Sequence, residues 1–212
     1  MFKHLFIYLC AIKYTNAIQN MKKTFLIIAA ALFSTGVFAQ STWKVDKAHS
    51  HLTFTITHLA VSDVDGTFKD FDASITASKA DFSDAKFSFT ANAASVNTDN
   101  DQRDNHLKSP DFFNVAKYPT VTFSSTSVKP GKAAGHYLVD GNLTLAGVTK
   151  PVTFDLWYRG TITNPMSKAP DAGFQVTGTV KRSDYNFGSK FGSPMLSDEV
   201  TFKASGEFGK AN

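Results

Sequence analysis

The chain has 212 residues, with 22 Lys and Arg against 18 Asp and Glu. Four of the lysines and the single Cys lie in residues 1–39, which contain no acidic residue, so the rest of the chain carries 18 basic and 18 acidic residues. This formal neutrality excludes attraction of nucleic acid or anionic lipid through bulk charge, and a segment without Cys must be held by its core rather than by disulfides.

The N-terminal residues 1–39 are predicted to be a secretory signal peptide. A basic start at Met21 precedes an apolar run over residues 25–33 that is too short to span a bilayer comfortably. A small-residue cleavage site ends at Ala39, and the sequence leaves open whether the chain starts at Met1 or at Met21. A membrane anchor is the alternative. We therefore expect a periplasmic or otherwise secreted protein with one domain over residues 40–212.

The predicted domain has the composition and the alternating pattern of an all-β protein. Its acids are sixteen Asp and two Glu, and Asp favours turns, whereas the frequent Phe and Thr favour strands. Period-two alternation predicts eight strands, over residues 43–58, 64–78, 85–96, 120–128, 135–145, 151–162, 173–181 and 199–208. Gly66 is expected to bend the second strand, Gly141 to mark a bulge in the fifth, and residues 129–131 to form a turn.

Residues 99–119 do not alternate and are predicted to contain a short helix between the third and fourth strands. Asp99 or Asn100 can cap this helix, because their side-chain oxygens can accept from free amides of the first turn. The proline at position 110 should end it near Lys108. Two phenylalanines follow the proline at once. We expect them to form an aromatic plug across one end of the β structure.

Long strands joined in sequence order by short connections predict an extended eight-stranded antiparallel up-and-down barrel. A two-sheet sandwich is the alternative. Strands of about twelve residues would reach about 40 Å at roughly 3.3 Å per residue. A barrel of this girth either packs solid or holds one small ligand. Small residues at the inward positions Ala91, Ala93, Ala204 and Gly206 favour an unfilled tunnel.

Four groups of short motifs occur in order along the predicted domain. They are Val45-Asp46, His49-Ser50, Phe54, His58-Leu59 and Gly66-Thr67-Phe68; Arg103-Asp104, His106-Leu107, Ser109, Asp111-Phe112-Phe113, Tyr118-Pro119 and Phe123; Gly141-Asn142-Leu143-Thr144-Leu145 and Gly147-Val148-Thr149-Lys150-Pro151-Val152; and Gly173-Phe174, Gly178-Thr179 and Arg182-Ser183-Asp184-Tyr185. Each group alone is weak, but the ordered set resembles the YceI-like lipid- and polyisoprenoid-binding proteins over essentially the whole domain.

The resemblance implies a lipocalin-like barrel with a hydrophobic tunnel for a long-chain amphiphile, such as a polyisoprenoid or an isoprenoid quinone. It also implies export, usually to the periplasm, and no established catalytic activity. We therefore predict a protein that is not an enzyme and that transports, stores or scavenges such a lipid. The alternatives are a non-catalytic stress-response or interaction module whose lipid is incidental, and an enzyme acting on a lipid pyrophosphate.

The lipid is the only ligand expected, without a cofactor, metal or nucleic acid. Contact with a membrane is expected to be transient, and the sequence leaves a monomer and a homodimer open. Inward aromatic and aliphatic residues can form either a packed core or a tunnel wall. Under the tunnel hypothesis the wall consists of Phe54, Ile56, Phe87, Phe89, Phe112, Phe123, Leu143, Phe154, Phe174, Val176 and Phe202.

Three polar residues are candidates for contact with the lipid head group, namely Arg103, His106 and His58. Arg103 and His106 are three apart on the predicted helix and share a face. A structural role, in which Arg103 ties the helix to the barrel, is favoured over head-group contact. Catalysis by Arg103, Asp104 and His106 is disfavoured, since no nucleophile or oxyanion motif accompanies them.

The histidines of the first strand are the remaining candidates for metal binding. His49 and His51 should point to one side, whereas His58 falls on the opposite face by parity. We therefore expect no metal site and assign His49 and His58 to hydrogen bonds at strand ends.

The glycine-rich segment at residues 188–198 carries three apolar residues, Phe191, Met195 and Leu196. It could form a lid over a portal, but an ordinary mobile surface loop is the favoured interpretation.

Overall fold

The computed structural model describes residues 40–211. The predicted signal peptide therefore lies outside the described residues and stays a prediction. No helix within residues 40–211 has both the length and the apolar character needed to cross a membrane.

Residues 40–211 form ten strands and one α-helix, with single turns of 3-10 helix at residues 93–95 and 182–185. The strands are β1 (Ser41–His58), β2 (Ser62–Phe68), β3 (Phe71–Ala77), β4 (Lys86–Asn92), β5 (Val96–Asn97), β6 (Thr120–Pro130), β7 (His136–Leu145), β8 (Val148–Thr163), β9 (Pro170–Lys181) and β10 (Leu196–Lys210), and the helix is α1 (Asp101–Lys108).

The strands form one closed antiparallel barrel, because β10 pairs with β9 on one side and with β1 on the other. They occupy eight positions around the barrel. β2 and β3 are two halves of one position, and β4 and β5, which pair with β3 and β2, are two halves of the next. This confirms the predicted eight-stranded barrel with one short helix and excludes the sandwich.

The predicted second strand is broken at Lys69 and Asp70 rather than bent at Gly66. β2 pairs with the second half of β1, and β3 pairs with its first four residues. Because the two residues of the break disturb the alternation, Phe68 and Phe71 both face the barrel interior. Gly66 lies inside β2, opposite Phe54.

Two further details of the sequence analysis were wrong. The irregularity near Gly141 lies in the partner strand β6, between Ser125 and Ser127. Gly141 instead provides room, since a Cβ there would lie 2.4 Å from the ring of Phe123. The predicted turn at residues 129–131 begins later, because Lys129 and Pro130 still pair with β7.

Helix α1 begins and ends where the sequence predicts. The side chain of Asn100 accepts a hydrogen bond from the amide of Arg103 at 2.9 Å, which satisfies one free donor of the first turn. The helix ends at Lys108, two residues before the proline. The following Phe112 and Phe113 are both buried, as expected of a plug.

Each end of the barrel contains its own hydrophobic cluster. At one end Phe82 is 1% exposed and packs edge-on against Trp43 and Phe174, with ring centroids 5.2 and 5.0 Å away. At the α1 end, Phe112 and Phe113 pack with residues of the barrel wall and of the segment after β9. The two clusters leave the middle of the barrel between them.

Tyr185 gives a test of the cluster at the α1 end. Its side chain is 2% exposed, its hydroxyl has no hydrogen-bond partner among the described residues, and burial raises its pKa to about 12. Removing a buried, unpaired hydroxyl relieves a desolvation penalty, so Tyr185→Phe should raise the free energy of unfolding by about 1 kcal/mol near pH 7.

The same substitution should alter the alkaline pH dependence. The folded pKa of Tyr185 lies above the unfolded value of about 10, so the wild type should lose stability as pH rises from about 10 to about 12. The part of this loss due to Tyr185 should be missing in Tyr185→Phe. Urea unfolding at a series of pH values measures both effects, and a less stable variant at pH 7 would contradict the assignment.

Candidate functional site

A cavity of about 560 Å³ occupies the barrel between the two end clusters. All eight positions around the barrel contribute lining residues, and most of these are aromatic or aliphatic. Volumes of roughly 300–1,000 Å³ with mostly apolar walls are typical of small-molecule sites. The barrel is therefore hollow rather than packed solid.

Every residue that the sequence analysis assigned to the tunnel wall lines this cavity. β1 contributes Phe54 and Ile56, β4 Phe87 and Phe89, β6 Phe123, β7 Leu143, β8 Phe154, β9 Phe174 and Val176, β10 Phe202, and the segment after α1 Phe112. Several of these inward-facing rings are only half-buried, as expected where the interior is empty. That they bind a ligand stays a prediction.

The strand register explains how the wall keeps its aromatic rings without filling the interior. Phe54 lies between Phe202 of β10 and Gly66 of β2. A Cβ at Gly66 would lie 2.2 Å from the Phe54 ring, so the ring extends over the glycine of the neighbouring strand. On the other side, Phe202 packs edge-on against Phe154 at 4.6 Å.

The sequence analysis missed further lining residues, for three reasons. Leu52 and Val200 share the alternation of predicted neighbours and could have been included by parity. Phe68 and Phe71 both face the cavity because the second strand is broken between them, and the alternating pattern does not predict this break. Phe187 lies outside any strand, so no periodicity marks it as lining.

The cavity reaches exposed polar residues at the α1 end. His106 is exposed and packs edge-on against Phe112 and Phe191, with ring centroids 5.1 and 5.4 Å away. Its Nε2 lies 3.2 Å from a carboxylate oxygen of Asp111, whose other oxygen accepts a hydrogen bond from Lys190. Lys190 and His106 hold the pKa of Asp111 below its usual value. His106 is therefore positioned at the cavity rim.

Arg103 also lines the cavity at this end, and two of its nitrogens are used inside the protein. Nε donates to the Thr98 hydroxyl and Nη2 to the Thr98 carbonyl, both at 2.7 Å. Thr98 in turn donates from its amide and hydroxyl to the buried carboxylate of Asp104. These bonds give Arg103 the structural role expected for it, while Nη1 makes no hydrogen bond to a described residue. His58, at the end of β1, also lines the cavity.

Arg182 holds the segment at residues 186–196 against the barrel, contrary to the interpretation as a mobile surface loop. Arg182 is 6% exposed, and its guanidinium donates to the carbonyls of Ser197, Phe187, Gly188, Phe191 and Leu196. Burial lowers its pKa below the usual value. The sequence analysis included Arg182 only as part of a motif. Its function as a tether depends on contacts that no local pattern reveals.

His49 and His51 do not share a side as predicted, because residues 47–50 of β1 lie opposite Gly206 alone and disturb the alternation between them. His51 lines the cavity together with His58, whereas His49 lies on the outside. There His49 Nδ1 is 2.8 Å from Asp46 Oδ2, and the ligand atoms of both lie within 4.8 Å of Glu207. Hydrogen bonding to Asp46 raises the pKa of His49.

These features define a closed antiparallel β-barrel with an apolar internal cavity. The model of the YceI-like domain matches residues 43–208. Protein YceI of Salmonella newport is 40% identical over 190 residues, covering 88% of this chain and 98% of that protein. The chain belongs to the YceI-like family.

Solved structures agree with this assignment. A YceI protein of Campylobacter jejuni is 32% identical with a TM-score of 0.64, covering 74% of this chain and 90% of that chain. A polyisoprenoid-binding domain from Saccharophagus degradans, implicated in plant cell wall breakdown, has a TM-score of 0.60 at 18% identity and covers 80% of this chain and 98% of that chain. At 18% identity, the similarity to the Saccharophagus degradans domain is a similarity of fold alone.

Arg182→Lys tests the tether. A lysine keeps the charge but cannot reach five carbonyl oxygens in the planar geometry of a guanidinium. We expect the free energy of unfolding to fall by about 3 kcal/mol. Hydrogen exchange of the amides in residues 186–196 should accelerate more than in the strands.

Arg159→Lys is the matched control, because Arg159 is exposed and lies over Trp157 at 5.0 Å. Its effect should stay within about 0.5 kcal/mol. Unchanged exchange at residues 186–196 in Arg182→Lys would show that other contacts hold the segment.

Proposed function

We propose that this protein binds one long-chain amphiphilic lipid in the barrel cavity, such as a polyisoprenoid or an isoprenoid quinone, and transports, stores or scavenges it in the periplasm. The observation that carries the proposal is the aromatic-walled cavity of about 560 Å³ inside the barrel. The likeness to a polyisoprenoid-binding domain supports the choice of ligand class. The N-terminal sequence supports export.

The energetics favour a carrier that exchanges its ligand. Burying about twenty lipid carbons from water is worth roughly 16 kcal/mol at about 0.8 kcal/mol per methylene. The alternative location of such a lipid is a membrane, where its chain is already out of water. The net preference for the barrel is therefore a small difference, which allows transient contact and exchange with a membrane.

We further propose that the protein is a binding protein rather than an enzyme. Arg103, Asp104 and His106 at the α1 end each make hydrogen bonds that hold the local structure. Arg103 and Asp104 both bind Thr98, and His106 binds Asp111. This arrangement holds the helix and the rim in place and resembles no nucleophile-and-base pair.

Mass spectrometry of solvent extracts, from protein purified out of its native host, tests the proposal. One defined long-chain lipid at near one-to-one stoichiometry is expected. A random mixture, or no lipid, would favour the alternative in which the cavity lipid is incidental. A chemically altered lipid would contradict the assignment as a binding protein.

Ala204→Phe should reduce the bound lipid at least about fivefold, because it places a ring inside the cavity. Ala204 lines the cavity between Leu52 and Val176 on the adjacent strands. The empty space should limit the loss of stability to about 1 kcal/mol, at the low end for overpacking. Lipid per protein is measured by extraction and mass spectrometry, and stability by urea unfolding.

Thr201→Phe is the matched control on the same strand. Thr201 is exposed and points outward, so the added ring stays outside the barrel. Lipid content should match the wild type. Equal lipid in the two variants would place the ligand elsewhere.

A further inference from the structure

The ionisable residues that line the cavity are all of basic types. Its lining contains Arg103, Arg182 and three histidines, and includes no Asp, Glu or Lys. Composition does not explain this bias, since the sequence after residue 39 has as many acidic as basic residues. The bias therefore belongs to the site.

Three acidic residues at the α1 end lie outside the cavity lining and already have hydrogen-bond partners. Asp104 accepts from Thr98, Asp111 from Lys190, and Asp198 from the amide and hydroxyl of Ser183. None of the three lines the cavity. They stabilise the rim but place no negative charge on its inner surface.

Arg182 is a buried cation without an ion-pair partner among the described residues. Its five hydrogen bonds all go to neutral backbone carbonyls, and Asp198 acts on it only at longer range. Carbonyl dipoles solvate the guanidinium but leave its charge in place. The cavity end next to it is therefore favourable for negative charge.

Direct donors are also free at this end. Arg103 Nη1 makes no hydrogen bond to a described residue, and neither does the ring of His58. An anionic group placed here would gain charge-assisted hydrogen bonds from the rim, in addition to the field of Arg182. A cationic group would gain neither the charge-assisted hydrogen bonds nor the attraction of Arg182.

We infer that the lipid has an anionic head group, a carboxylate or a phosphate monoester, which lies at the α1 end between Arg103 and His58 with its chain in the aromatic part of the cavity. The inference rests on the proposed function and adds the chemical class of the head group. Arg103 gives direct contact, and Arg182 gives charge without contact.

The test compares four single-chain probes of equal length, namely hexadecanoic acid, hexadecyl phosphate, hexadecan-1-ol and hexadecylamine. Their affinities are measured by displacement of a fluorescent fatty reporter from the protein at pH 7 and low salt, after copurified lipid has been removed. We expect the better of the two anions to bind about tenfold more tightly than the alcohol. The amine should bind more weakly than the alcohol, and added salt should reduce the preference for the anion.

Arg103→Gln separates head-group contact from the structural role of Arg103. If the substitution only loosened α1, binding of the anions and of the alcohol would weaken equally, and the ratio of their affinities would stay unchanged. Loss of head-group contact should lower the ratio of anion to alcohol affinity by at least about fivefold. Lys132→Gln, which removes the same charge from an exposed turn at the other end of the barrel, should leave the ratio unchanged.

The outcomes distinguish the inference from the proposed function. If no probe binds, both fall. If all four bind with similar affinity, or the amine binds best, the barrel still binds lipid but the anionic head group is wrong. A preference that persists in Arg103→Gln would also overturn the role assigned to Arg103. The two anionic probes decide between carboxylate and phosphate.

Discussion

The rest of the structure depends on the pairing of β1 with β10. This antiparallel pair runs from Trp43 opposite Lys210 to His58 opposite Leu196. It closes the sheet into a barrel and gives the strands one inner and one outer face. Because apolar residues alternate along the strands, closure collects their side chains in one enclosed volume that is separated from water.

Side chains do not fill that volume, because small and large residues lie next to each other on the inner faces of neighbouring strands. Gly66 and Gly141 lie beside the rings of Phe54 and Phe123, so each ring extends along the wall over a neighbouring strand. Aromatic surface therefore covers the interior without crossing it. Hydrophobic clusters lie at both ends of the barrel, and at the α1 end Arg103 and His58 add polar donors to the cavity lining. The cavity therefore has apolar walls along its length and basic residues at one end.

The tether at Arg182 joins stability to function. Its guanidinium donates to four carbonyls of residues 186–196 and to that of Ser197, which fixes Phe187 and Phe191 against the plug and so shapes the rim around His106. The same buried charge forms no ion pair with a carboxylate of residues 40–211. The group that orders the α1 end therefore also biases the chemistry of whatever the cavity holds.

Alternation, capping residues and turn residues are local signals, and by themselves they determined the all-β class, the bounds of α1 and the inward face of most strands. Phe54, Phe89 and Phe202 could be placed in the wall because parity within an unbroken strand is a local property. Tertiary structure alone decided the break at Lys69 and Asp70, the irregularity that separates His49 from His51, and the five partners of Arg182. Each depends on which distant strands or carbonyls meet, because closing a barrel imposes registers that a single strand does not encode.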